Sequence, residues 1–306
     1  MTCRSPTSII AQNQVSYDST MAAKPAPSAV PTPLPDRTRD TDSSTQEEDP
    51  TSFSQESFNI PHAPPAFSKP KLRLEIRDLD HPGSSKFLSS INLSTVFTTA
   101  VNNVLRLLYH SPSDKHTAPP PTRSVTLILR DIDGVAYTTG TELDSDHKEI
   151  HFSLSYINSI RPDTRLAHEI TGVLTHELVH CYQWNAKGTC PGGLIEGIAD
   201  WVRLNCDLSP PHWKKEYKGD WDQGYQHTAY FLQYLEQRFG LGTVRQLNEK
   251  LRQHKYKESS FWTELLGSSV TNLYGDYVKA NDGKSLDENS NSKGGNNTTV
   301  DEGTQT

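Results

Sequence analysis

The 306-residue sequence is poor in apolar residues, which make up only 33% of it, and it contains four cysteines and two methionines. Globular chains usually carry about 45–50% apolar residues on a count that includes glycine. We therefore expect a folded core that is smaller than the whole chain, with polar segments that do not fold. Four cysteines in a chain of this length also exclude a disulfide scaffold.

Basic residues are also few: the chain contains 30 Lys and Arg but 37 Asp and Glu, which gives a formal net charge of −7. Nucleic acids and anionic membranes attract basic chains, so the sequence predicts neither as a partner. No apolar run approaches the roughly 18 residues that span a bilayer. The short run Ile9–Ala11 is below the roughly 7–15 residues of a signal peptide. This predicts a cytoplasmic protein or one exported without such a signal.

Composition divides the chain into three parts. Residues 1–68 contain ten of the twenty prolines and no Trp, and residues 282–306 contain no aromatic residue. We expect both arms to be disordered, because they cannot bury enough apolar surface to offset chain entropy. All five Trp lie within residues 184–262. The predicted folded domain is therefore residues 69–281, which we expect to be monomeric.

The hydrophobic pattern places strands first and helices after, which predicts an α+β fold with a small mixed sheet followed by a mainly helical part. The predicted strands cover residues 72–76, 124–129, 134–139 and 149–154. The predicted helices cover residues 87–109, with a cap near Ser85, and then 164–185, 192–206, 224–239, 242–253 and 260–280.

One motif carries chemistry, the run His176-Glu177-Leu178-Val179-His180. On a helix, positions i and i+4 share a face, so His176 and His180 can present two imidazoles to one ion. Glu177 stands beside them and can reach a water held by that ion. This H-E-x-x-H pattern is typical of zinc metalloproteases, although it arises by chance in roughly one chain in a hundred of this size.

Two acidic residues extend the motif. Glu196 follows His180 by 16 residues on the next predicted helix and could supply a third ligand. Asp200, one turn further, could accept a ring N–H from His176 or His180. Two His, one Glu and an open position define a catalytic zinc site, not a structural one. The alternative, a solvated acidic face, is disfavoured because apolar residues surround both carboxylates.

One segment closely resembles the plant basic secretory protein family, a group of predicted zinc peptidases. It covers residues 172–204, with the sequence GVLTHELVHCYQWNAKGTCPGGLIEGIADWVRL. The shared motifs are the H-E-x-x-H helix, Trp184-Asn185, the P-G-G-L-I-E-G-I-A-D block at 191–200 and W-x-x-G-Y at 221–225. The resemblance covers about residues 70–281 and is most specific over 172–239. It implies a gluzincin-like, zincin-type fold with the zinc helix under a sheet whose edge forms the cleft. It also implies zinc ligands His176, His180 and Glu196, with Glu177 as the base.

The chain departs from this family in being acidic and in lacking a visible signal peptide, whereas the family resemblance suggests an extracellular protein. It also carries Cys181 directly after the second motif histidine. Adjacent helical side chains point about 100° apart, so we predict a buried thiol there and not a ligand. Cys190 and Cys206 flank the next helix and could form a disulfide only in an exported protein.

The predicted function is zinc-dependent hydrolysis of peptide bonds in a peptide or protein substrate, with Glu177 as the general base acting on a zinc-held water. Whether it is an endo- or an aminopeptidase is left open. The oxyanion of the reaction needs a donor besides zinc, and Tyr225 is the candidate, with His227 and Tyr230 as rivals. Tyr225 and Tyr230 also fit a core-facing stripe. Three tryptophans could line the cleft or be buried: Trp184, Trp201 and Trp221.

Two other functions remain as alternatives. One is a catalytically weak or inactive binding module on a peptidase fold, with a protein or glycan ligand. The other is an interaction protein whose disordered arms act while zinc is structural. The presence of Glu177 favours catalysis over the first, and the open coordination position argues against the second.

Overall fold

The computed structural model describes residues 66–291, so the arms predicted at 1–68 and 282–306 fall mostly outside it. Its sheet contains β1 (Lys71–Ile76), β2 (Ser124–Arg130), β3 (Ala136–Gly140) and β4 (His147–Ser153) in the order β1-β2-β4-β3. The first, second and fourth strands run parallel, whereas β3 runs antiparallel to β4, with Thr138 opposite Ile150. All four predicted strands are present and the sheet is mixed, as predicted.

The helices follow mainly in the second half of the described chain. They are α1 (Pro82–Ser90), α2 (Leu93–Tyr109), α3 (Leu154–Ser159), α4 (Leu166–Tyr182), α5 (Gly192–Leu204), α6 (Tyr225–Phe239), α7 (Thr243–Gln253), α8 (Glu258–Leu266) and α9 (Val270–Asn291). The prediction of an α+β fold is confirmed. The last helix continues past the predicted end at residue 280.

The core lies between the sheet and helix α4, which packs against β3 and β4 and against α2 and α5. Alternate residues of the strands supply the apolar face that α4 covers, because successive strand side chains point to opposite sides. Leu127, Ile150 and Phe152 are fully buried there. Burial of each such side chain contributes about 1.5–3 kcal/mol, so this layer fixes the position of α4.

The predicted single helix over residues 87–109 is wrong, because the chain forms two helices there. Ile91 adopts extended backbone after α1, and the Asn92 side chain then accepts the backbone N–H of Thr95 at 3.1 Å. An Asn in this position caps a new helix start. The predicted cap near Ser85 is also misplaced, since α1 begins with Pro82 behind the capping residue His81.

The predicted helix over residues 260–280 is likewise interrupted, between α8 and α9. Gly267 ends α8 in the left-handed region at φ 75°, where glycine has no steric penalty. The Ser269 hydroxyl then accepts the backbone N–H of Asn272 at 3.3 Å at the start of the next helix. Helix α3 was not predicted, and it begins directly after β4 with Ser153 as its cap.

Candidate metal centre

Helix α4 places two imidazoles side by side. His176 and His180 lie one turn apart, with ring centroids separated by 4.8 Å and Nε2 atoms by 3.1 Å. His176 is buried and His180 is partly exposed, so the pair is reachable from solvent on one side. The sequence pattern predicted this shared face, and the helical geometry of α4 produces it.

Helix α5 brings a carboxylate to the same point. The Oε2 atom of Glu196 lies 3.1 Å from His176 Nε2 and 3.7 Å from His180 Nε2. Within residues 66–291, His176, His180 and Glu196 form a group whose ligand atoms could hold a metal ion. The three residues that the spacing singled out as ligands therefore converge in space.

Asp200 occupies the opposite side of the His176 ring. Its Oδ1 lies 2.6 Å from His176 Nδ1, and only 3% of the residue is exposed. A carboxylate at this nitrogen selects the tautomer with the proton on Nδ1, which leaves Nε2 free as a ligand atom. Asp200 therefore contacts His176, one of the two histidines that its helical spacing indicated.

A buried ion pair holds the two helices in this arrangement. The Arg203 guanidinium on α5 donates to Glu169 Oε1 on α4 at 3.1 Å, and its Nε donates to the Leu208 carbonyl at 2.9 Å. Arg203 and Glu169 are both buried, so each needs the other to offset lost hydration. Their contact fixes the crossing of α4 and α5 beside the histidines.

Glu177 faces the sheet side of the same cluster and is 5% exposed. The Thr138 hydroxyl on β3 lies 2.7 Å from Glu177 Oε2 and donates to it. Burial raises the pKa of Glu177, and the negative charges of Glu196 and Asp200 raise it further. The charge on His176 and the hydrogen bond from Thr138 act in the opposite direction but are outweighed. A carboxylate with a raised pKa takes up a proton more readily near neutral pH.

The charges of the cluster favour a cation. Burial lowers the pKa of His176, but its hydrogen bonds to Asp200 and Glu196 outweigh burial and raise the pKa overall. Burial, followed by the charge on His176, lowers the pKa of His180 to about 4. The carboxylates thus draw one positive charge onto His176, and a metal ion could supply positive charge to the same groups.

Close packing of α6 on α5 brings the start of α6 to the metal-binding cluster. A Cβ atom added to Gly197 would overlap the Thr228 side chain, and one added to Gly193 would overlap the carbonyl of Asp222. Thr228 in turn accepts the backbone N–H of Gly224 at 3.0 Å. Helix α6 can therefore begin directly beside Glu196.

Tyr225, the first residue of α6, lies over the site. Its ring stacks on that of His176 with centroids 6.2 Å apart, and 39% of the residue is exposed. Its φ of 46° is in the left-handed region, which costs a non-glycine residue about 1–3 kcal/mol. Its rivals lie elsewhere, since His227 bonds Tyr274 at 2.8 Å and Tyr230 packs on Trp213.

The cysteine predictions have different outcomes. Cys181 is buried, and burial raises the pKa of its thiol, in agreement with the prediction. Cys190 and Cys206 are free thiols at opposite ends of α5. The 13 residues of α5 span about 20 Å at 1.5 Å per residue, whereas bridged Cα atoms lie within about 7 Å. A disulfide between them is therefore excluded in this fold.

The tryptophans do not form a rim around the site. Trp201 and Trp221 are buried, and Trp221 packs on Phe231 and Trp262. Trp184 is partly exposed, and its indole N–H donates to the Ala118 carbonyl at 2.9 Å. The alternative interpretation of these residues as core aromatics is correct for Trp201 and Trp221.

Two residues near the cluster were missed by the sequence reasoning. Thr138 reaches Glu177 from the sheet, and the Gln183 amide nitrogen lies 2.6 Å from His180 Nδ1. The position of Thr138 depends on strand pairing, which the motif does not encode. Gln183 carried a weak signal, because it follows His180 by three residues, a spacing that brings helical side chains together.

Comparison with known proteins supports the sequence motifs. A family described as peptidase of plants and bacteria, the basic secretory protein family, matches residues 69–277 of the chain. The chain belongs to this family, because the match covers more than half of its length. No curated protein and no solved structure matches the chain. Within residues 66–291, none of the helices is both long and apolar enough to cross a membrane.

Proposed function

We propose that this member of a peptidase family is a zinc peptidase with His176, His180 and Glu196 as the metal ligands. The spacing of the three donor atoms carries the proposal. They are separated by 3.1, 3.1 and 3.7 Å. Tetrahedral ligands at about 2.1 Å from zinc lie about 3.4 Å from one another, so the trio fits this ion without rearrangement.

The donor types support the same conclusion. Two imidazole nitrogens and one carboxylate oxygen form a set that catalytic zinc sites use, with a fourth position left for water or substrate. Asp200 would orient His176 and increase the basicity of its Nε2. When bound, zinc would supply Lewis acidity to acidify a water molecule and polarise the scissile carbonyl.

Glu177 would move the protons of the reaction. Thr138 occupies Oε2 of the carboxylate through a 2.7 Å hydrogen bond, which leaves the other oxygen to accept a proton from the attacking water. The same oxygen can pass that proton to the leaving amine. Burial raises the pKa of Glu177 and so makes it a stronger base towards the attacking water.

Tyr225 would act as the second donor to the oxyanion. Its ring stacks over His176, and its hydroxyl lies close enough to the carboxylates of the cluster for their charges to act on it. Burial, together with the charges of Glu196, Asp200 and Glu177, raises its pKa to about 12. The phenol therefore keeps its proton at neutral pH and can donate a hydrogen bond.

The sheet edge next to Thr138 offers a place for an extended peptide. β3 pairs with β4 on one side, and within residues 66–291 no strand pairs with its other side. An edge strand binds an extended peptide through backbone hydrogen bonds that are independent of the peptide's sequence. A peptide added there would run past Thr138 and Glu177, which favours a peptide or protein substrate.

Metal content and hydrolysis test the proposal together. The full chain should bind about one zinc ion, lose it to EDTA and hydrolyse members of a mixed peptide library. His180→Ala should abolish zinc binding and hydrolysis, while His254→Ala, at an exposed histidine after α7, should change neither. Full zinc retention in His180→Ala would contradict the site. Zinc binding without hydrolysis by the wild type would instead favour a binding module.

A further inference from the structure

Gln183 ends helix α4 and turns back onto its last histidine. Its backbone is extended, at φ −78° and ψ 153°, so the side chain no longer follows the helical direction. The amide nitrogen lies 2.6 Å from His180 Nδ1. This ring nitrogen is opposite Nε2, the atom that faces His176 and Glu196.

The amide oxygen of Gln183 is buried and has no hydrogen-bond partner among the described residues. Nothing else therefore holds the amide in one of its two orientations. Rotation by 180° would exchange the oxygen and nitrogen, which have nearly the same size, and would break only the contact to His180. The amide can thus donate to Nδ1 in one orientation and accept a proton from it in the other.

The peptides on both sides of Gln183 are held by a buried polar network. The Tyr109 hydroxyl donates to the Tyr182 carbonyl, and the Trp184 backbone N–H donates to Asn248 Oδ1 at 3.0 Å. The Asn248 amide nitrogen donates to the Tyr109 hydroxyl at 3.1 Å and closes the network. Tyr109 and Asn248 are both fully buried, so the backbone of Gln183 cannot shift without breaking these bonds.

We propose that Gln183 is a positioning residue of the metal centre, which accepts the Nδ1 proton of His180 and thereby directs the Nε2 lone pair to the metal. It would do for His180 what Asp200 does for His176, and the Tyr109–Asn248 pair would fix its place. The inference rests on the proposed metal site. A neutral acceptor suits this position, because Glu177, Glu196 and Asp200 already place three carboxylates around the cluster.

Two substitutions of Gln183 test the inference in the full chain. Gln183→Met keeps the length of the side chain but removes the acceptor, whereas Gln183→Glu keeps an acceptor oxygen. The matched control is Gln233→Met on α6, where the lost amide oxygen accepts a hydrogen bond from the Asn205 side chain at 2.9 Å. Zinc affinity is measured by competition with a chelator, and unfolding is measured on EDTA-treated protein.

We expect Gln183→Met to weaken zinc binding by about 10–100-fold, which is the usual effect of removing the hydrogen-bond partner of a metal-ligating histidine. Gln183→Glu should bind zinc at least as tightly as the wild type, and the control should be unchanged. Without metal, Gln183→Met and the control should unfold at the wild-type temperature, because the capping bond of Gln183 to Val179 involves only backbone. Gln183→Glu should unfold at a lower temperature without metal, because it adds a fourth carboxylate to the cluster. A spectrum of the cobalt-substituted protein should change for Gln183→Met alone.

Three results would overturn the inference. Unchanged zinc affinity in Gln183→Met would show that His180 needs no acceptor, while leaving the metal site itself intact. An equal loss in the Met and Glu variants would show that side-chain fit and not hydrogen bonding matters. Absence of zinc binding in the wild type would overturn both this inference and the proposed function.

Discussion

The substitution Glu177→Gln should separate the chemistry of the site from the stability of the fold. Glutamine keeps the shape of the side chain, and its amide oxygen can still accept the hydrogen bond from Thr138 at 2.7 Å. It cannot take a proton from water. Since a general base contributes about 10²–10⁴-fold, the activation barrier should rise by about 3–5 kcal/mol. Zinc binding should persist, because the three ligands are unchanged.

The same substitution should stabilise the metal-free protein. Glu177 is 5% exposed, and its charge lies close to those of Glu196 and Asp200. Replacement of a poorly compensated buried charge by a neutral group should stabilise by about 1 kcal/mol. In a domain of 150–250 residues, this corresponds to an increase of about 2–4 °C in Tm.

The pH dependence of the Tm difference between the wild type and Glu177→Gln is the control for this prediction. Burial raises the pKa of Glu177 in the folded state, so its ionisation destabilises the fold as pH rises above the unfolded value of about 4.3. The difference in Tm between the two proteins should therefore be absent near pH 4 and grow towards neutral pH. Calorimetry of EDTA-treated protein measures it. A lower Tm for Glu177→Gln at pH 7, or hydrolysis within about tenfold of wild type, would refute the reasoning.

Three further substitutions test the surroundings of the metal. Asp200→Asn should weaken zinc affinity by about 10–100-fold in a chelator titration, a smaller loss than that of Glu196→Ala. An unchanged affinity would show that Asp200 does not support the metal site. Tyr225→Phe should lower kcat by about 10²–10³-fold with zinc affinity unchanged, and equal kcat would exclude its hydroxyl. Gly197→Val should lower the free energy of unfolding in denaturant by about 1–3 kcal/mol, because the new side chain would overlap Thr228. A wild-type free energy of unfolding would show that α6 can move away from α5.

Local rules made the two histidines predictable. The spacing of His176 and His180 needs only a helix to bring their rings to one face, and α4 provides it. Glu196 and Asp200 required one further assumption, that the next helix packs back on the first. The structure satisfies it through the Arg203–Glu169 ion pair, which no motif in the sequence had indicated.

The errors in the fold arose where short polar signals interrupt an apolar pattern. Apolar residues continue at helical spacing through Asn92 and through Gly267, so periodicity alone predicts unbroken helices. Asn92 nevertheless caps a new helix, and Gly267 ends one in the left-handed region. The contacts of Thr138 and Asn248 could not be predicted, because they link residues 39 and 64 positions apart through strand pairing and helix packing.

The family block at residues 191–200 combines two physically different requirements. Glu196 and Asp200 are polar and contact the histidines, whereas Gly193 and Gly197 contribute only the absence of a side chain. That absence lets α6 approach α5 closely enough for Tyr225 to stack over His176. A chain that kept every ligand but lost these glycines could still hold a metal ion, yet it would displace the candidate oxyanion donor. Ligand motifs alone are therefore a weaker indication of peptidase activity than the ligand motif together with the small residues of α5.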